Sequence, residues 1–195
     1  MKTIFNSILL FVCCLGLLAC NVLPQNLKLA PNVTVTESSQ GKSAVITVKV
    51  VDERADSILG HISSASFSGR ADIVTSQDLP ALIQGEVIKG LFKKGFNALP
   101  CEVNERPVLK VVIQTIRYDV IQGVWASRIE TNAILKAVAT VNGTTHETIY
   151  RAEDEKKLAF QPTMEKNEIY INQMLNDVIK VLLNDPQLID YLSNA

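Results

Sequence analysis

Few residues in this chain are able to do covalent or metal chemistry: two histidines and four cysteines among 195 residues. His61 sits among Ser63, Ser64 and Ser66, a grouping that invites a nucleophilic reading. A nucleophilic serine needs a base held against it and a sharp turn that exposes it, and no G-x-S-x-G elbow is present. His146 stands apart. Neither histidine has a His, Cys or carboxylate at metal-ligand spacing, so no zinc centre is expected. Gly60 and Gly69 do not form the G-x-x-x-x-G-K loop that cradles phosphates, and no cofactor is implied. Asp52 and Arg54 make a sharper pair. Two residues apart on an extended segment they share a face, where they could bind a polar ligand. They could equally pair with each other and order the loop up to Leu59 and Gly60. Arg128, Glu130 and Asn132 share one parity of a long alternating segment and offer a second polar surface, although solvated sheet faces look the same.

Charge narrows the partners. Lys and Arg number 19 against 20 Asp and Glu, for a net charge of -1. A duplex binder needs a basic stripe to neutralise phosphates, and none is found, so no nucleic acid is expected. The N-terminus carries the strongest signal. Lys2 precedes an unbroken run of apolar residues and glycine over 8–18. That run falls short of the roughly 20 residues that span a bilayer as a helix, and with small residues at its end it follows the secretory signal-peptide pattern. It ends in Leu17-Leu18-Ala19-Cys20, which resembles the lipobox of bacterial lipoproteins.

That resemblance implies cleavage between Ala19 and Cys20 and a diacylglycerol on the Cys20 sulfur. Each buried methylene contributes about 0.8 kcal/mol and one chain anchors only marginally, so a triacylated Cys20 would hold the protein to a membrane almost permanently. Asn21 stands where an Asp commonly signals inner-membrane retention. In a Gram-negative host this implies the periplasmic face of the outer membrane. Cleavage would remove Lys2, Cys13 and Cys14, leaving 18 basic against 20 acidic side chains, a net charge of -2. Cys101 would then be the one free thiol, with no intramolecular disulfide possible. It follows Pro100 at a loop-to-strand junction and is expected to be buried.

These residues need elements to position them. Residues 20–43 hold Pro24, Pro31, Gly41 and a Ser-Ser pair, the composition of a tether. Leu27, Leu29, Val33 and Val35 alternate with polar residues there and allow a short edge strand on either side of Pro31. Used as free coil, such a stretch spans roughly 25 Å. A periplasmic domain is expected over 44–195. Residues 44–51 are β-branched and nearly continuously apolar, as a central strand is. Residues 52–70 read as a Ser/Gly-rich connection, and 70–74 as a weaker strand on one side of a hairpin. Ser76 or Asp78 caps a helix over 78–94, with Pro80 tolerated in its first turn. Leu79, Leu82, Ile83, Val87 and Leu91 form its apolar stripe, and Lys93, Lys94 and Gly95 close it.

Strands follow over 108–120 and 124–141. In the second, Trp125, Ile129, Ala133 and Leu135 share a parity, which places Trp125 in the core or at a hairpin edge. Asn142-Gly143 favours a type I′ turn, with a partner strand over 144–152. The charge run 153–157 reads as a solvated strand end or loop. A second helix begins near Thr163, with Ile171, Met174, Leu175, Val178 and Leu182 as its stripe. Asp185-Pro186 restarts a short helix that ends near Leu192.

Antiparallel strands with two amphipathic helices on one face make an α+β two-layer sandwich with a mainly antiparallel sheet. Within this order several short motifs recur together: the lipobox, Val51-Asp52-x-Arg54 with Leu59-Gly60, T-S-x-D-L at 75–79, and Gly95-Phe96 at the helix end. Tyr118-Asp119-Val120, Gln122-Gly123, the Asn142-Gly143 hairpin and Tyr150-Arg151-Ala152 complete the set. The ordered set resembles the YajG-like lipoproteins of proteobacteria over most of the mature chain. The resemblance implies an envelope lipoprotein and carries over no enzymatic residues. The expectation is a non-enzymatic lipoprotein held to a membrane through Cys20 and binding an unidentified envelope protein, with Asp52, Arg54 and Arg128 as candidate contacts. The alternative is a small-molecule or lipid carrier with an apolar cavity between helices and sheet. An enzyme would need convergent polar groups in a pocket, which these patterns do not suggest.

Overall fold

The computed structural model describes residues 23–64, 69–102, 105–106 and 108–195. The expected signal peptide, the Ala19–Cys20 cleavage site and Ser66 lie outside the described residues. In chain order the elements are β1 (Gln25–Asn26), β2 (Val45–Asp52), β3 (Gly60–Ser64), β4 (Arg70–Val74) and α1 (Leu79–Lys93). Then come β5 (Asn97–Pro100), β6 (Leu109–Gln122), β7 (Ser127–Val141), β8 (Thr144–Leu158), α2 (Met164–Leu183) and α3 (Pro186–Leu192).

Local chemistry starts and stops the helices where the sequence places them. The Asp78 carboxylate accepts from the Ala81 N–H at 3.0 Å, and the Thr163 hydroxyl accepts from the Lys166 N–H at 3.3 Å. Asp185 accepts from the Gln187 N–H at 2.9 Å, with Pro186 opening α3. Gly95, at φ +88°, supplies the left-handed residue after α1. Asn142 and Gly143, at φ 50° and 79°, turn β7 into β8 as a type I′ hairpin requires.

The fold is α+β. The described strands form one mixed sheet of eight, and the antiparallel pairings β3–β4, β6–β7 and β7–β8 hold most of its ladder. β6 is its axis. β7 follows the whole of one edge, from Leu109–Ala139 to Gln122–Ser127. Along the other edge β2 runs parallel to residues 109–113, and β3 resumes, also parallel, from Gly60–Tyr118. Residues 53–59 leave the sheet between them, opposite a bulge in β6 at Ile113/Thr115. Two strands thus share one edge with a break in the middle.

That arrangement corrects two expectations. The connection expected over 52–70 contains β3, whose Gly-His-Ile-Ser-Ser sequence has little β propensity and is held by the neighbours that pair with it. The partner strand expected over 144–152 runs on through the charge run 153–157, which is the strand end and not the loop of its two readings. β8 continues through it to Leu158, an edge strand with both faces partly solvated, where charge is tolerated.

The helices cover one face. α1 packs on β2 and β5, α2 on β7 and β8, and the core between them holds Ile46, Val48, Ile83, Val87, Leu135, Leu175 and Val178. Asn167, on α2, is fully buried in this layer. It accepts from the Tyr118 hydroxyl at 2.7 Å and donates to Gln25 at 2.7 Å, linking β6, α2 and β1. Burial pushes the Tyr118 phenol well above its usual range, so it stays a neutral donor. Asn167→Ala leaves that hydroxyl buried without its acceptor, and an expected loss of about 1–3 kcal/mol should appear in urea unfolding. A matching loss in Tyr118→Phe, with the double variant no worse than either, would confirm that one bond accounts for it.

The region expected as tether is instead packed. Leu27, Leu29, Val33 and Val35 are each 6% exposed or less. On one edge of this extended segment the N–H groups of Lys28, Ala30 and Asn32 donate to the side chains of Glu168, Asn172 and Asn176, at 2.8, 2.9 and 2.8 Å. Two extended residues advance about 6.6 Å and four helical residues about 6 Å, so alternate amides match one face of α2. On the other edge Gln77 bonds both the N–H and the carbonyl of Leu29, and Glu86 accepts from the Val33 N–H at 2.8 Å. Residues 27–35 therefore lie in the groove between the helices, with side chains in place of a strand as ladder partners.

Two smaller expectations are resolved as well. Of the two places open to Trp125, core or hairpin edge, it takes the second: it falls in the turn between β6 and β7, beyond the last ladder pair, and is 91% exposed. Cys101 is half-buried, because β5 ends at Pro100 on the sheet edge where nothing covers the next residue fully.

Candidate functional site

The face of the sheet away from the helices collects the polar parity of each strand. One row is set by register: Asp72 of β4 pairs with His61 of β3, His61 with Asp119 of β6, Asp119 with Glu130 of β7, and Glu130 with Glu155 of β8. Like charges directly opposite destabilise a sheet unless cations intervene. Arg117 does so beside Asp119, at 2.5 Å, and Arg128 beside Glu130, at 3.0 Å. Asp119 holds the Arg117 guanidinium more firmly protonated than usual, through their hydrogen bond first and their charges second.

At the strand break this face deepens into a cleft of about 270 Å³. Arg54 and Asp56 of the 53–59 loop form one wall, Gln114, Thr115, Arg117 and Asp119 the floor, and His61 and Arg70 the other wall. His61 is clamped. Its Nδ1 lies 3.0 Å from Asp72, and Arg70 reaches its Nε2. A guanidinium only donates, so Nε2 faces a donor while Nδ1 faces the Asp72 carboxylate. Both ring nitrogens are therefore engaged, and neither is available as a base for Ser63. A shallower groove of about 390 Å³ adjoins the cleft through Arg117, lined by Glu130, Asn132, Glu153, Asp154 and Glu155. Among the described residues no group of His, Cys, Asp or Glu is placed to hold a metal ion.

Asp52 and Arg54 do meet. Arg54 grips both carboxylate oxygens, with Nη2 at 2.7 Å, and donates through Nη1 to the Ile58 carbonyl at 3.2 Å. The pair orders the loop up to Leu59, and Arg54 still borders the cleft. Burial raises the Asp52 pKa, but the hydrogen bonds and charge of Arg54 outweigh it and hold the carboxyl below its ordinary 3.8. A carboxylate with a lowered folded value adds stability that is complete above about pH 4 and fades as pH falls through that lowered value. Followed by NMR at its side-chain carbon, Asp52 should titrate below 3.8, and in Arg54→Met above it, because burial then acts alone. A midpoint that ignores the substitution would show that the pair is not ordered in solution.

Arg128 stands apart from this loop, exposed on β7 and level with Ile121 and Lys157. The structure brings Arg54 to the cleft, leaves Asp52 behind it as its partner outside the lining, and leaves Arg128 toward the sheet's end. Arg70, Arg117 and Asp119 were missed as site residues. Alternation along residues 108–120 marks Arg117 and Asp119 as outward, but only cross-strand register sets them beside His61.

A family model described as an uncharacterized lipoprotein matches residues 31–193. No curated protein matches the sequence. Among solved structures, protein XCC0632 from Xanthomonas campestris aligns with a TM-score of 0.47 at 12% identity, over 89% of this chain and 97% of its own. A candidate homolog of the neuraminyllactose-binding hemagglutinin from Helicobacter pylori aligns at 0.44 and 9% identity, over 86% and 98%. A candidate lipoprotein from Caulobacter crescentus aligns at 0.36 and 10% identity, over 69% and 92%. Among the described residues no helix is long and apolar enough to cross a membrane.

Proposed function

Because the chain belongs to this family of uncharacterized lipoproteins, we propose that it is a non-enzymatic, lipid-anchored protein of the bacterial outer membrane that binds another envelope component on its periplasmic side. Cys20 is the acylated residue, following cleavage after Ala19. The binding surface is the open face of the sheet around the cleft. One observation carries this reading: Arg54, Arg70 and Arg117 all line one concave site of about 270 Å³, built where β2 ends and β3 resumes along β6. Arginine is enriched at protein interfaces, and a guanidinium on an ordered strand loses less freedom on binding than one on a free loop. Alternating acids and bases along the row through Asp119 and Glu130 favour a protein partner with a mixed polar surface.

The carrier reading finds less support. The space between α2 and the sheet beside Ile129, Tyr170 and Met174 is about 20 Å³, room for about one water molecule. A photo-crosslinking residue at Gln114, on the cleft floor, should yield one discrete adduct in intact cells of the host. The same probe at exposed Ile149 on β8 should not, and Arg117→Asp should abolish the Gln114 adduct. Equal labelling from both positions, or none from Gln114, would sink the proposal.

A further inference from the structure

The four most exposed large apolar side chains among the described residues are Trp125 at 91%, Phe160 at 84%, and Leu23 and Val124 at 73% each. They come from three separate stretches of sequence and lie at the same end of the sheet. Val124 and Trp125 form the β6–β7 turn beyond the Gln122–Ser127 pair. Phe160 follows Leu158, the last residue of β8, which pairs with that same Ser127. Leu23 precedes β1, whose parallel pairing with β4 points its start toward Arg70 and so toward the same end. Half-exposed Met164 opens α2 there, one turn before Asn167 meets Gln25. Large apolar side chains gathered at one end mark a protein or membrane contact site more often than bare surface.

The chain names the occupant. Leu23 is three residues from Cys20, a reach of at most about 10 Å even when fully extended. Resting on the anchor reading above, an acylated Cys20 therefore holds this end, and no other, within a headgroup layer of the bilayer. The Asn142–Gly143 hairpin is then about 45 Å away along β7. We propose that this end is a membrane-docking tip, with Trp125, Phe160 and their neighbours seated in the interfacial zone of the leaflet that holds the acyl chains. Tryptophan favours that depth, where its ring is covered and its N–H remains hydrated. Arg128 and Lys157, paired across β7 and β8 just behind the tip, stand level with phosphate headgroups. The open sheet face would then rise from the membrane at a fixed orientation instead of swinging on a coil.

Trp125 is the only tryptophan in the chain, so it reports directly. The full mature protein, extracted from host membranes, is reconstituted into phosphatidylethanolamine–phosphatidylglycerol vesicles with and without brominated acyl chains. Tip docking predicts a blue shift of Trp125 emission and quenching by the brominated lipid, with the quenching lost in Val124→Asp/Phe160→Asp. Emission at the position of water-exposed tryptophan, without lipid quenching, overturns the proposal. A blue shift without lipid quenching also overturns it, because a second copy or another protein then covers the tip. The mass at Cys20, measured on the same sample, tests the anchor separately. If Cys20 is unmodified, the anchor reading fails, and vesicles added to the unanchored chain test the tip alone by the same quenching.

Discussion

Gly60→Val is expected to be among the most damaging single substitutions in the sheet. Gly60 opens β3, where the resumed ladder brings it opposite Tyr118. A side-chain carbon at residue 60 would overlap the carbonyl group of Tyr118 and lie 2.8 Å from its nitrogen. The obstacle is backbone, and that backbone is held on its other edge by Thr131 of β7. Tyr118 cannot retreat either, because its side chain is fully buried and bonded to Asn167. Overpacking ordinarily costs about 1–3 kcal/mol, and an unyielding backbone puts this case at or above the upper end. The urea midpoint should fall accordingly, with Gly60→Ala nearly as damaging because the first carbon already clashes. A Gly60→Ala protein within about 0.5 kcal/mol of the parent, the range of ordinary surface changes, would show that β3 does not lie this close to β6.

The second large effect concerns the stretch whose composition reads as a tether. A chain beginning at Ala44 is expected to lose cooperative folding, although it retains nearly all of the regular secondary structure. It lacks Leu27, Leu29, Val33 and Val35, and burying each such side chain contributes about 1.5–3 kcal/mol before the cost of ordering the segment. It also uncovers the facing stripes of α1 and α2 and takes the Val33 N–H from buried Glu86. Near-UV circular dichroism and hydrogen exchange would read the outcome. Leu29→Ala in the full chain gives the graded version, with an expected loss of about 2–5 kcal/mol, whereas Leu23→Ala should cost almost nothing. Native-like cooperativity in the chain from Ala44 would mean that residues 27–35 are a dispensable strap.

Some of this molecule was written in short stretches. Asp78 with Pro80, Thr163, Asp185-Pro186 and Asn142-Gly143 act within one turn of chain, so their residue types alone place three helix starts and a hairpin. The alternation of Leu27, Leu29, Val33 and Val35 was equally legible, but its partner was not. Side chains on a helix 140 to 144 residues away complete that ladder, and no spacing within residues 20–43 announces them. Polar β3 and the charged extension of β8 past residue 152 were obscured for the opposite reason. Neighbouring strands decide their conformation, overriding weak local preference.

Hydrophobic pattern and the ordered short motifs together determined the layers, the order of the helices and the family. Asp52 and Arg54 were found because their partnership is local, two residues apart on one strand end. The cleft that Arg54 shares with His61, Arg70 and Arg117, and the apolar tip formed by Leu23, Val124, Trp125 and Phe160, were decided only by the folded chain. Periodicity says which side of a strand a residue faces, whereas register and the break between β2 and β3 say which distant residue stands beside it. Register is set by packing energies summed over the whole sheet.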